Sequence, residues 1–76
     1  MPAEIRAEMV AQVHSVLVEP GTPVNAGDTL MLLESMKMEI PVLAEAGGIV
    51  LEIAVQPGDV VHEGDVLVTL LGGADS

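Results

Sequence analysis

Displaced by 37 positions, the chain falls on itself. Val18-Glu19-Pro20-Gly21 lands on Val55-Gln56-Pro57-Gly58, and Gly27-Asp28 lands on Gly64-Asp65. Val13, Val24, Leu30 and Leu33 land on Val50, Val61, Leu67 and Leu70, all at the same offset and without a gap. Two copies are too few for a solenoid, in which stacked neighbours bury each other's faces. The pattern instead predicts a single domain over residues 1–76, made of two similar halves with approximate two-fold symmetry.

Each half reads as strand. Ala11–Val18, Thr29–Ser35, Met38–Leu43, Ile49–Val55 and Val66–Leu71 are rich in Val, Ile and Leu and are bounded by Gly, Pro and Asp. A shorter first strand is expected around Glu4–Glu8, and very short ones at Val24 and Val61. No segment sustains a helical period. Pro20-Gly21 and Pro57-Gly58 are turn dipeptides, in which Pro presets φ and Gly supplies a positive φ. Gly27-Asp28 and Gly64-Asp65 play the same part before the next strand. In Ile49–Val55 the alternation predicts one buried and one wetter face. In Ala11–Val18 the phase slips between Val13 and Val16, which a bulge would explain. Pro41 predicts an edge position, since it cannot donate to a ladder. The fold class expected is all-β, a small flattened barrel of two antiparallel sheets. Its core runs from about residue 4 to 71, and 72–76 reads as a short frayed end of a complete chain.

A domain this small often needs a staple, yet the chain has no cysteine and no metal-ligand cluster. Stability must come from aliphatic packing, and half of the residues are hydrophobic. The formal charge of −10 repels phosphate backbones and anionic membrane surfaces. With no aromatic residue there is no platform for base stacking. Nucleic acid and membrane are thus not expected partners. The N-terminus carries neither a basic nor an apolar signal segment, and the absence of cysteine fits a cytoplasmic location. His14 and His62 lack Cys, His or Asp neighbours at ligand spacing and read as surface histidines. No catalytic constellation and no phosphate loop are present.

The chemistry-bearing feature is Lys37, the only lysine. It lies in Glu34-Ser35-Met36-Lys37-Met38-Glu39, between two strand segments. A two-residue loop, Met36-Lys37, sets Ser35 across from Met38, Glu34 from Glu39, and Leu33 from Ile40. Such a loop prefers Asn-Gly or Asp-Gly because both positions need positive φ. Met-Lys breaks that preference at a cost of about 1–3 kcal/mol per residue. A local rule broken at an exposed tip points to function. Glu34 and Glu39 facing each other should repel, with Lys37 between them compensating.

This block resembles the attachment motif of biotinyl domains, whose usual core is Ala or Ser followed by Met-Lys-Met. From about Glu4 to Leu71 the chain is similar to the biotinyl/lipoyl carrier family, particularly its small stand-alone bacterial members. The resemblance implies a flattened eight-stranded barrel with Lys37 on the exposed hairpin as the site of covalent biotin attachment. Met36 and Met38 would be the flanking residues read by a biotin ligase, with Glu34, Ser35 and Glu39 completing the recognised surface. Ser35 stands where Ala is commoner, and Glu19–Asp28 leaves no room for the thumb segment of some carboxylase carrier subunits.

The implied function is a biotin carboxyl carrier without catalysis of its own. Its partners would be a biotin protein ligase, a biotin carboxylase and a carboxyltransferase. Lipoate is the alternative cofactor, although lipoyl domains resemble Asp-Lys-Ala at the tip. A biotinylated adaptor and an unmodified structural domain are the remaining readings.

Overall fold

The computed structural model describes residues 2–72. It contains eight strands: β1 (Pro2–Arg6), β2 (Ala11–Val16), β3 (Pro23–Val24), β4 (Thr29–Ser35), β5 (Met38–Leu43), β6 (Gly48–Ile53), β7 (Val60–Val61) and β8 (Val66–Gly72). They form two four-stranded antiparallel sheets, ordered β1-β8-β6-β3 and β5-β4-β2-β7. The 37-residue offset carries β2 onto β6, β3 onto β7 and β4 onto β8, and β1 onto the corresponding part of β5. Each sheet is therefore the other's counterpart, as the repeat predicts.

The hydrogen bonds obey the same symmetry. Gly21 N donates to Val50 O at 2.7 Å, and its counterpart Gly58 N donates to Val13 O at 2.8 Å. Ala44 N donates to Asp28 O and Ala7 N to Asp65 O, both at 2.8 Å. These bonds run between the two halves, so the halves interlock.

The turns share one construction. Asn25 N donates to Asp28 Oδ2 (2.8 Å), Gln56 N to Asp59 Oδ2 (2.9 Å) and His62 N to Asp65 Oδ2 (2.9 Å). Thr22 Oγ1 does the same for Glu19 N at 3.2 Å. In each turn the later residue's N–H returns a bond to the earlier carbonyl at 3.0 Å. The Gly-Asp pairs are thus turn closures, with glycine supplying the positive φ and aspartate the acceptor. At Gly58 (φ 96°) an added Cβ would meet nothing within 4 Å. Gly58→Ala should therefore lose about 1–2 kcal/mol through backbone conformation alone, read from the shift of the denaturant midpoint.

Between the sheets the core is aliphatic. Leu30, Met31, Leu67 and Val68 are fully buried, and Val13 and Val50 nearly so. Leu30 matches Leu67 and Val13 matches Val50 across the repeat. Among the described residues no polar or charged side chain is buried, so burial carries no desolvation penalty that needs a partner.

Some sequence expectations change. The first strand begins at Pro2 and ends at Arg6 rather than running Glu4–Glu8. Val18 and Val55 lie beyond the ends of β2 and β6, packed against the core in the connections. Gly72 pairs with Gly48 as the last residue of β8, so it is strand rather than frayed end. Residues 73–76 lie outside the described residues. The bulge expected in β2 is present, with the register shifting between Val13 and Ser15 around His14. Its counterpart in β6, between Val50 and Glu52, breaks the alternation expected there. Pro41 lies on β5, an edge strand, where its missing N–H costs no ladder bond.

Candidate functional site

The β4–β5 hairpin has the expected register: Leu33 with Ile40, Glu34 with Glu39, and Ser35 with Met38. Its loop is Met36-Lys37, with φ of 54° and 67°. These are the only non-glycine positive φ values among the described residues. Both signs match the hairpin turn whose twist suits the flanking strands, a geometry that normally selects Asn-Gly. The two strands fix the turn between them, so its strain is held in place by their pairing.

The tip is solvated. Met36 is 92% exposed and Met38 65%, and Glu34, Lys37 and Glu39 are exposed, with Ser35 half-buried. Methionine is an ordinary core residue, and Met31, five residues earlier, is buried. Two thioethers in water on either side of one amine are therefore not explained by packing.

Lys37 makes no ion pair among the described residues, in which the contacts between a basic side chain and a carboxylate are Arg6–Glu4, His14–Glu39 and His62–Asp65. The expected compensation of Glu34 and Glu39 by Lys37 is not seen, and of the two only Glu39 has another partner among the described residues. His14 Nε2 stands 3.6 Å from Glu39 Oε2, reaching across from β2. Its Nδ1 lies 3.3 Å from Ser15 Oγ. Both members of the His14–Glu39 pair are about half exposed, so the pair adds little to stability. The contact falls on Glu39 and not on Lys37, whose amine has no carboxylate within ion-pair distance among the described residues.

His14 is a site neighbour that chain order conceals. So is Gln12, which pairs with Glu34 on one side and Val60 on the other. Together Glu39, Glu34, Gln12 and Val60 form one cross-strand row on the outer face. The symmetry-related row of the other sheet is Pro2, Leu71, Ile49 and Pro23. The fold accommodates a wholly apolar row at that place, so the barrel's topology does not itself require the polar Glu39, Glu34 and Gln12.

Two halves closed into a flattened barrel, with one sheet extended into an exposed hairpin, define an attachment domain. Residues 1–70 match the family described as biotin-requiring enzyme, and the chain belongs to this biotin/lipoyl attachment family. A homologue of biotinylated protein TB7.3 from Mycobacterium leprae is 54% identical over 55 residues, which is 72% of this chain and 78% of the relative. A single-chain, multi-domain long-chain acyl-CoA carboxylase superposes with a TM-score of 0.89 at 32% identity, over 97% of this chain and 8% of the carboxylase. The lipoyl domain of the 2-oxoglutarate dehydrogenase complex from Azotobacter vinelandii gives a TM-score of 0.74 at 29% identity, over 91% of this chain and 99% of that domain. The chain is a biotin-requiring attachment domain, similar to the carrier domains of carboxylases.

Proposed function

We propose that this protein is a biotin carboxyl carrier, modified on Lys37 Nζ and serving a biotin carboxylase and a carboxyltransferase in turn. The observation that supports this most directly is the chain's single lysine, exposed at a strained turn between two solvated methionines. An amide to biotin needs an accessible amine with room around it, and the tip offers both. The hairpin contributes geometry: two paired strands hold one amine at a fixed place, which lowers the entropic cost of meeting an activated acyl group. The amine must give up its proton in the active site of a biotin protein ligase. Met36 and Met38 present apolar contacts to that ligase, and Glu34, Ser35 and Glu39 complete the recognised surface. Biotin, once attached, supplies the ureido nitrogen that carries the carboxyl group. Tethering then keeps this carrier arm at high effective concentration near each partner enzyme. We place the reaction in the cytoplasm and treat the chain as one carrier domain.

Intact-mass measurement after incubation with biotin, ATP and an active biotin ligase tests this reading. One biotin-sized increment is expected, and no increment would sink the carrier role. A lipoyl-sized increment with a lipoyl ligase, and none with the biotin ligase, would assign the domain to oxidative acyl transfer instead.

The turn predicts a second result. Exchanging the two loop residues, by Met36→Lys and Lys37→Met together, keeps the charge and composition of the tip but moves the amine one position. Because neighbouring loop residues project differently, biotinylation should fall at least tenfold, the size of effect that misplacing a reacting group by about 1 Å can produce. An unchanged initial rate would show that the ligase reads the hairpin and not the amine's place on it.

A further inference from the structure

We propose that Met36 and Met38 are a reversible oxidation site at which a peroxide-class oxidant controls recognition of the hairpin. This inference rests on the carrier reading given above. The chain has no cysteine, tryptophan or tyrosine, so no thiol or readily oxidised aromatic ring competes for peroxide. The oxidisable side chains are its thioethers. The fold grades them steeply, since Met31 is fully buried, Met9 is 40% exposed, and Met36 and Met38 are the most open of the described methionines. Among the described methionines, the two most exposed side chains thus flank the one lysine.

The step balances simply. A sulfur lone pair attacks one oxygen of hydrogen peroxide; the S–O bond forms as the O–O bond breaks. The displaced hydroxide takes up the remaining peroxide proton and leaves as water. Sulfur loses two electrons to the peroxide, giving a neutral methionine sulfoxide. The product is polar and chiral where the thioether was flexible and apolar. At a buried methionine this would disrupt the core. At Met36 and Met38 little packing is lost, because Met36 stands almost wholly in water and Met38 largely so. Oxidation therefore changes what a partner meets while leaving the barrel intact. Reductases specific for each sulfoxide epimer can reverse it.

The test uses the unbiotinylated protein, because biotin's own thioether would also oxidise. After graded treatment with hydrogen peroxide, peptide mapping should find oxygen on Met36 and Met38 first, on Met9 later, and none on Met31 in folded protein. The initial rate of biotinylation should fall by about tenfold, the change expected when an apolar contact gains an unsatisfied polar group. Treatment with both epimer-specific reductases should restore it. A Met36→Leu, Met38→Leu variant, whatever its own untreated rate, should show the same rate before and after peroxide. Oxidation that begins elsewhere would overturn the site, and a full rate with both sulfoxides in place would overturn the control. A variant slowed by peroxide as much as the parent would overturn it too. If untreated protein is not biotinylated, the carrier reading and the control built on it both fail, while the mapping still decides the oxidation site.

Discussion

Lys37→Arg should give no biotin increment at all, with the folded state unchanged. Arginine keeps the positive charge and a long stem, but its guanidinium is a poor nucleophile that stays protonated. No other side-chain amine can substitute, because the chain has no second lysine. The structural cost should be small. Lys37 is exposed, makes no ion pair among the described residues, and its φ of 67° strains either residue alike. Surface substitutions of this kind usually stay within about 0.5 kcal/mol. Intact mass and a denaturation curve on the same preparation check both halves of the prediction. A biotin increment in the variant would move the site to the N-terminal amine or refute covalent attachment through lysine.

Leu67→Ala should remove a large share of the stability. Leu67 is fully buried in β8, the strand that lies between β1 and β6. Truncating a buried leucine costs about 2–5 kcal/mol through lost transfer energy and the cavity left behind. At about 0.05–0.15 kcal/mol per residue, a domain of 76 residues has only some 4–11 kcal/mol to lose. No disulfide or metal cluster among the described residues shares the load. The same substitution at Leu30, its counterpart in β4, should cost a similar amount because the two positions are related by the two-fold axis. Urea unfolding measures each. A loss below about 1 kcal/mol at Leu67 would mean that the site collapses around the missing atoms. Unequal losses would show that the halves are symmetric in shape but not in energy.

The strand plan was legible in the sequence because its turn chemistry occurs in both halves, and the hairpin register and the positive φ values at its tip because a two-residue loop dictates them. Pro-Gly and Gly-Asp punctuate both halves, and any two-residue loop fixes the pairing of Glu34 with Glu39. The two bulges were not equally visible, for a reason that lies in the side chains. In β2 the slip passes through His14 and Ser15, so polarity marks it. In β6 the same slip passes through Leu51, apolar like Ile49 and Val50 before it, so no polar residue marks the extra position. The meeting of His14 with Glu39 was hidden for another reason. It joins β2 to β5 across β4, and nothing local to either residue encodes that sheet order. Gly72 read as a tail residue since glycine weakens a strand, yet its pairing with Gly48 holds it in the ladder.

The two-fold axis that carries the β4–β5 hairpin onto the β8–β1 pair has a mechanical consequence. Pro2 pairs with Leu71, so the β8–β1 pair is the same hairpin with its turn cut open. By that symmetry Pro2 and Leu71 stand in one sheet where Glu39 and Glu34 stand in the other, on a body whose longest extent is 36 Å. Force applied at Pro2 or Leu71 would be borne by the hydrogen-bonded β1–β8 ladder, in the sheet that does not carry the Lys37 hairpin. Anchored there, the barrel would act as a stiff boom, with the lysine side chain as the short hinged segment on the other sheet. The span a bound group could sweep would then depend on the length of the protein as well as on the bonds beyond the amine.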